Sequence, residues 1–299
     1  MTARLALATA AEFPDLDEET RLLVATLQGR GLEAGPAVWT DPNIDWSGYD
    51  LVVVRCTWDY HSQLPRFLDW AGHVASVSRL ANPEAVLRWN TDKTYLRDLT
   101  EAGLPVVRTW WLEPGDDFTM PAAGEYVVKP AVSAGSRDTN RWVAQEHDEQ
   151  ASAHVSSLLD AGRTVMVQPY LASVDTYGET AMLYLGNRFS HAIRKGPLLE
   201  PGMEFVSSAY KEETVEPRDP SDAEREVAEA VLDALDPFVA GGRASLTYAR
   251  VDLVPDDDGG PTLLELELTE PSMFLDLDRA DGAAATERFA AAIEARLAG

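Results

Sequence analysis

The sequence contains one cysteine, Cys56, and only five scattered histidines. A single thiol excludes an intrachain disulfide, and the histidines lack the spacing of zinc ligands. No apolar run approaches the ~18 residues of a membrane span, and the apolar run near the N-terminus is too short for a signal peptide. We therefore expect a cytoplasmic enzyme or binding protein. Its 299 residues, 45% of them hydrophobic, suffice for two or three compact units.

Positive charge is also scarce. Lysine and arginine total 25 against 50 aspartates and glutamates, which gives a net charge of −25. Such a surface argues against a nucleic-acid backbone or an anionic membrane as partner. An anionic small molecule remains compatible if a few cations converge on it. The alternative is a halophilic or merely soluble acidic surface.

The stretch 248–271 has the pattern of a β-hairpin: two apolar runs joined by a cluster of Asp and Gly. Alternation predicts Glu265 and Glu267 on one face, with Leu264 and the following alternate leucines on the other. Asp252 lies on the partner strand. Carboxylates this close repel one another unless a cation lies between them, and oxygen ligands suit Mg²⁺. An amphipathic hairpin with a solvated acidic face is the other interpretation.

Strand and helix patterns alternate over residues 1–82, which predicts a parallel sheet. A continuous apolar run ends just before Arg55 and indicates a strand covered on both faces. Because ligands of such sheets bind beyond the carboxyl ends of the strands, we expect Arg55, Asp59 and Tyr60 to contact substrate. Trp58 and Tyr60 also suit plain packing, which we favour for at least one of them.

The next segment, 90–102, has the pattern of a helix with Asn90 or Thr91 as its N-cap. Lys93 would then lie in the first helical turn. A lysine there is unfavourable to the helix dipole, and it is usually a solvated residue. It is also where a lysine would share an anion with the helix N-terminus.

Residues 125–130 form a predicted strand that contains Lys129, followed by small residues. A loop of this composition, which includes Ser133, Ala134, Gly135 and Ser136, lets backbone N–H groups approach a phosphate. It lacks the P-loop pattern, and its composition alone favours an ordinary hairpin loop.

Taken in order, these segments resemble the ATP-grasp superfamily, in the branch near glutathione synthetase. The resemblance covers most of residues 80–275 and lies in an ordered set of short motifs. These motifs are NTDK at 90–93, VVKP at 127–130, VQPYL at 167–171, GET at 178–180, RKG at 194–196, RVDLV at 250–254 and LELELTEP at 264–271.

The resemblance implies an α/β fold, α+β in parts. It comprises an N-terminal parallel α/β domain (1–109), a small central α+β domain (110–171) and a C-terminal α+β domain with a metal site (172–299). It also implies ATP as nucleotide, with Lys93 and Lys129 at the phosphates and the loop 131–137 as a flap over them. The other nucleotide contacts that it implies are Gln168, Tyr170 and Leu171 at adenine, and Glu179 or alternatively Asp175 at the ribose.

The same resemblance assigns Asp252, Glu265 and Glu267 as Mg²⁺ ligands. Relatives commonly have asparagine at the last of these positions, so Glu267 is a departure that changes the charge of the metal site. The catalytic cations implied near the γ-phosphate and the substrate carboxylate are Arg194, Lys195 and Arg250.

The implied reaction is activation of a carboxylate as an acyl phosphate, which a nitrogen nucleophile then converts to an amide. Over its whole length the chain is similar to a narrower group, which includes the O-ureido-serine cyclo-ligase of cycloserine biosynthesis. In that group one small, amino-acid-like molecule supplies both carboxylate and nitrogen. The rivals are a ligase that joins two substrates and a nucleotide-binding module without turnover. Association of the chain into a homo-oligomer is an open alternative to a monomer.

Overall fold

The computed structural model describes residues 2–202, 214–279 and 282–299, which form three β-sheets and the helices around them. The first sheet is parallel, with strand order β2-β1-β3. This confirms the parallel sheet predicted for residues 1–82. All six residues of the third strand are buried, as its continuous apolar run indicated. The elements are β1 (Arg4–Thr9), α1 (Glu18–Gly29), β2 (Glu33–Val38), β3 (Leu51–Cys56) and α2 (Leu64–Val77).

The helix predicted over 90–102 is instead two short helices, α3 (Glu84–Asn90) and α4 (Tyr95–Glu101). Asn90 ends the first helix, so the N-cap prediction is wrong, and Thr94 precedes the second. The Asn90 amide instead binds the backbone of the acidic hairpin. Lys93 lies in the turn between the helices, where its backbone N–H donates to the Ala131 carbonyl at 3.0 Å.

The second sheet is antiparallel, with strand order β4-β7-β5-β6, and α5 packs on it. Its β5–β6 connection carries the small residues after Lys129. The elements are β4 (Trp110–Leu112), β5 (Glu125–Pro130), β6 (Asn140–Val143), α5 (Asp148–Asp160) and β7 (Val165–Pro169).

The third sheet is antiparallel, with strand order β10-β9-β8-β11-β12, and β11 and β12 form the predicted hairpin. Its elements are α6 (Ser173–Thr176), β8 (Glu179–Leu185), β9 (Arg188–Lys195), β10 (Val215–Arg218), α7 (Asp222–Asp233), β11 (Tyr248–Pro255), β12 (Pro261–Glu267) and α8 (Gly282–Ala298). The described 3₁₀ turns are Trp46–Gly48, Tyr60–Ser62, Gly242–Ser245 and Leu275–Leu277.

A bulge interrupts the hairpin at Leu264. Asp252 pairs with Glu265 and Leu253 pairs with Leu263, so Leu264 is the extra residue. A bulge resets the alternation of faces. The prediction that Leu264 lies opposite the glutamates is therefore wrong, and this leucine lines the same cleft as Glu265.

The hydrophobic cores combine elements that are far apart in the sequence. Phe289 and Ile293 of α8 pack into the core that contains Leu7 and Leu23 of the first sheet and α1. Helices α3 and α4 join the core of the third sheet. The strands of each sheet fall within one of the ranges 1–109, 110–171 and 172–299, and these domain boundaries remain predictions. Among the described residues, no helix is both long and apolar enough to span a membrane.

Candidate active site

A cleft of about 640 Å³ lies among the three sheets. The segment after β3 forms one end of it, the β5–β6 loop covers it, and the acidic hairpin forms its floor. Within the described chain, five lysines and arginines line this cleft, although the sequence carries twice as many acidic residues as basic ones. These five cations are Lys93, Lys129, Arg137, Lys195 and Arg250.

The two lysines predicted at the phosphates both lie in the cleft and are buried. The Lys93 ammonium lies 3.2 Å from Glu265 Oε1 and donates to the Ser133 carbonyl at 3.0 Å. Burial lowers the pKa of Lys129, and the charge of Lys93 adds to this effect, whereas Glu265 opposes it. An anion entering between these two lysines would relieve that cost. Their position therefore suits the binding of phosphate.

Lys195 and Arg194 point to opposite faces of β9. Lys195 Nζ lies 2.9 Å from Glu179 Oε2 and 2.9 Å from Asp252 Oδ2, at the cleft. Arg194 instead donates to the Tyr177 carbonyl at 2.6 Å and does not line the cleft. Because neighbouring strand residues alternate, only one of the two can face the site. The structure thus corrects the prediction for Arg194 and brings Lys195 to the cleft.

Arg250 and Asp252 form a buried pair beneath the cleft. Arg250 donates to Asp252 through Nε at 2.9 Å and through Nη2 at 3.0 Å. Burial alone would raise the pKa of Asp252, but Arg250 and Lys195 outweigh it and lower the pKa to about 2. Arg250 also contacts Glu267 and donates to the Ser272 carbonyl. Its guanidinium is thereby held in one orientation at the cleft.

Two glutamates of the cleft are poorly compensated. Burial raises the pKa of Glu267 to about 7 in spite of Arg250. Burial, together with the charge of Glu267, raises the pKa of Glu270 to about 8. Sequence reasoning missed Glu270, although it follows the two glutamates of the hairpin in the motif LELELTEP.

The predicted Mg²⁺ ligands suit the metal by chemistry, because all three are carboxylates. In the described part of the chain, however, no three acidic, histidine or cysteine side chains are grouped as metal ligands. Asp252, Glu265 and Glu267 each pair with a cation of the protein instead. Glu265 and Glu267 line the cleft, whereas Asp252 lies behind them. The two cleft-facing carboxylates are therefore the ones that would hold Mg²⁺ directly.

The end of the cleft near β7 is apolar with few polar groups, as a nucleotide base requires. Gln168, Tyr170 and Leu171 line it as predicted, and Gln168 donates to Thr109 Oγ1 at 2.9 Å. No sequence pattern pointed to the aliphatic residues that complete this wall, because they come from five separate segments of the chain. These residues are Val107, Val127, Val174, Val254 and Leu264.

The two candidates for the ribose contact are separated by the structure. Glu179 lines the cleft, whereas Asp175 lies outside it and accepts from the Tyr170 hydroxyl at 2.6 Å. Asp175 also pairs with Arg141, whose guanidinium lies 3.4 Å from the centre of the Tyr170 ring. Asp175 thus holds a wall of the cleft in place, and Glu179 remains the candidate contact.

The predicted flap residues, Ser133 to Ser136, line the cleft. Gly135 and Ser136 both have left-handed backbone conformations, with φ of 62° and 56°. Glycine adopts this conformation readily, but serine does so at a cost. The turn therefore carries backbone strain at Ser136.

Of the three residues predicted to contact substrate, two line the cleft and one does not. Asp59 and Tyr60 line the cleft, and Asp59 accepts from the Trp39 indole at 2.8 Å. Arg55 lies outside it, paired with Glu19 at 2.8 Å and 2% exposed. The prediction that Arg55 contacts substrate is therefore corrected. Arg55 is part of the buried strand β3, and its guanidinium packs on aromatic rings of the core.

Several further residues at this end escaped sequence reasoning. Phe13 and Trp58 meet edge to face, with ring centroids 4.9 Å apart, and both line the cleft. Trp58 therefore lines a site, although plain packing was an open alternative. The other residues that complete this end are Glu12, Ser272 and Phe274.

The chain is similar to known proteins over nearly its whole length. The family described as the N-terminal domain of D-cycloserine synthetase DcsG matches residues 5–82. The cycloserine biosynthesis protein DcsG of Streptomyces lavendulae is 37% identical over 303 residues, covering 98% of this chain and 98% of the relative. A crystal structure of D-cycloserine synthetase DcsG aligns with a TM-score of 0.85 and 34% identity, covering 99% of this chain and 100% of the other.

A more distant structure, the ATP-grasp ligase PsnB with Mg and ADP, aligns with a TM-score of 0.60 at 17% identity, over 98% of this chain and 99% of that one. The expected ATP-grasp fold is confirmed, and the protein is an ATP-dependent ligase of that superfamily. Within it, the chain belongs to the family of the cycloserine biosynthesis protein DcsG.

Proposed function

We propose that this ligase closes the ring of D-cycloserine from O-ureido-D-serine, with ATP and Mg²⁺, in the cytoplasm. The observation that carries the proposal is the convergence of Lys93, Lys129, Lys195 and Arg250 on one cleft in a chain of net charge −25. Such a group of cations suits a triphosphate and a carboxylate held side by side. The relative that shares 37% of its residues is named for cycloserine biosynthesis, which favours this substrate.

In the first step, a substrate carboxylate oxygen attacks the γ-phosphorus of ATP. The bond between that phosphorus and the β–γ bridging oxygen breaks, and ADP leaves. Lys93 and Lys129 would hold the phosphates, while Lys195 and Arg250 would stabilise the charge that develops at the transferred group. Mg²⁺ held by Glu265 and Glu267 would neutralise phosphate charge.

In the second step, the oxygen-bound nitrogen of the same molecule attacks the acyl phosphate carbon. The carbon–oxygen bond to phosphate breaks, the nitrogen loses its proton, and a five-membered isoxazolidinone ring forms. The carbamoyl group on that nitrogen then leaves by hydrolysis as carbamate. Both reacting groups belong to one molecule, so the protein supplies orientation and electrostatics rather than a nucleophile of its own.

Phosphate release tests the proposal. The purified protein with ATP and Mg²⁺ should release ADP with O-ureido-D-serine as its sole other substrate. A ligase that joins two molecules would release ADP only after addition of a separate amine. The double variant Glu265→Ala, Glu267→Ala should lose turnover. Undiminished Mg²⁺-dependent turnover in that variant would remove both residues as ligands.

A further inference from the structure

Glu270 is a half-buried carboxylate of the cleft that, unlike its two neighbours on the hairpin, has no counter-ion among the described residues. Its neighbours Glu265 and Glu267 are paired with Lys93 and Arg250. Within the described part of the chain, the Glu270 carboxylate forms neither a hydrogen bond nor an ion pair, although it lines the cleft. A partly buried carboxylate with no partner is costly, and a ligand cation would remove that cost.

The backbone around Glu270 is fixed on both sides. On one side, the Thr269 carbonyl accepts from the Tyr248 hydroxyl at 2.9 Å. On the other side, the Ser272 carbonyl accepts from Arg250 at 3.1 Å, and the Met273 N–H donates to Glu19 at 2.7 Å. These bonds come from two separate elements, β11 and α1, so Glu270 is presented to the cleft on a rigid support. Rigid placement is what a specificity contact requires.

The surroundings of Glu270 suit a small organic cation. Phe13 and Trp58 form an aromatic pair that lines the same cleft as Glu270, and Phe274, four residues after Glu270, lines it too. Aromatic rings attract ammonium groups through their electron-rich faces. The charge of Glu267 makes the local potential more negative and favours a positive ligand at Glu270.

We propose that Glu270 binds the ammonium group of an α-amino acid substrate and so selects which small carboxylic acids enter the cleft. This inference rests on the proposed function, in which the substrate carries a carboxylate, an α-ammonium group and a second nitrogen. With the ammonium group held at Glu270, the carboxylate of the same molecule can extend towards Lys195 and Arg250. Glu270 is thus a binding residue that takes no part in the bond changes.

The variant Glu270→Gln keeps the shape of the side chain and removes its charge. We expect it to raise the KM for O-ureido-D-serine roughly 10- to 100-fold, with a much smaller change in kcat. The KM of the desamino analogue, 3-(ureidooxy)propanoate, should be the same for wild type and variant. ADP affinity should stay unchanged and the melting temperature should not fall, which separates this effect from misfolding.

A rise in KM that is equal for both substrates, or no rise at all, overturns the proposal. Glu12 provides the matched comparison for Glu270, because it is a glutamate that lines the same cleft but is exposed. If Glu12→Gln raises the KM for the amino substrate and Glu270→Gln does not, the ammonium site is not at Glu270.

A binding measurement separates this inference from the proposed function. Calorimetric titration with D-serine and with 3-hydroxypropanoate, in the presence of ADP and Mg²⁺, requires no turnover. Wild type should prefer D-serine at least tenfold, and Glu270→Gln should lose that preference. If O-ureido-D-serine releases no ADP, the proposed function fails, and this titration alone decides the role of Glu270. If the wild-type protein shows no preference for D-serine over 3-hydroxypropanoate, the proposed role of Glu270 is wrong.

Discussion

Replacing Asp252 by asparagine tests whether this residue stabilises the empty protein as a counter-ion. Asp252 is 1% exposed and accepts charged hydrogen bonds from Arg250 at 2.9 and 3.0 Å and from Lys195 at 2.9 Å. Removing one partner of a buried ion pair costs about 3–5 kcal/mol, because the remaining cations lose their compensation. Glu179 and Glu267 still face these cations, so we expect the lower part of that range.

The expected shift in melting temperature follows from chain length. With an unfolding entropy of about 2.1 cal/mol/K per residue, 299 residues give roughly 0.6 kcal/mol/K. A loss of about 3–5 kcal/mol then lowers the melting temperature by roughly 5–8 °C. Differential scanning calorimetry, without nucleotide or Mg²⁺, measures it. Asp257→Asn is the matched control, because Asp257 is exposed in the turn of the same hairpin and should change stability by less than about 0.5 kcal/mol.

The opposite result would refute this reasoning. If Asp252 were chiefly one of several carboxylates that repel one another until a metal binds, Asp252→Asn would leave the metal-free protein equally stable or make it more stable. A double-mutant cycle with Lys195→Met adds a second criterion. We expect a coupling energy of at least about 1 kcal/mol, and strict additivity would contradict the contact.

Three other predictions follow from single contacts. Lys129→Met should weaken ATP binding roughly 10- to 100-fold by calorimetry without destabilising the free protein, because burial already lowers the pKa of this lysine; unaltered affinity would exclude the phosphate role. Asn90→Ala should cost about 2–6 kcal/mol in urea denaturation, because it leaves the Leu266 carbonyl and the Leu268 N–H unpaired; a loss below about 1 kcal/mol would show that water replaces the amide. His191 is buried with a lowered pKa, so its neutral form stabilises the fold fully above the unfolded pKa of about 6.5, and this contribution is lost as pH falls through that value. The difference in melting temperature between wild type and His191→Gln should therefore shrink between pH 8 and pH 5, and a constant difference would contradict the assignment.

The segment after the acidic hairpin shows how the N-terminal sheet contributes to the site without touching it. Arg55 holds Glu19, and Glu19 accepts from the backbone N–H groups of Met273 and Leu275 at 2.7 and 3.2 Å. Phe274, between them, has a left-handed φ of 47° and lines the cleft. The Glu19–Arg55 pair thus supports a strained turn of the cleft wall.

Elements with a local signal could be predicted from the amino-acid sequence alone. The parallel sheet, the acidic hairpin and the strand that carries Lys129 follow from apolar periodicity and turn composition within consecutive segments of the chain. The same short segments carry the ATP-grasp resemblance, which also led to the prediction of Lys93 and Lys129 at the phosphates and of the hairpin glutamates at the metal. Local patterns suffice there because backbone geometry fixes which side chains share a face.

Which side chains face the cleft depends on partners far apart in the chain and could be seen only in the folded protein. Alternation leaves open which face of β9 meets the cleft, so packing chose Lys195 over Arg194. Pairing with Glu19 kept Arg55 in the core, and a bulge turned Leu264 into the cleft. Glu270 could be recognised as a site residue only from the folded cleft, which it lines together with Phe13 and Trp58. Burial and charge compensation are sums over residues far apart in the chain, so no local pattern encodes them.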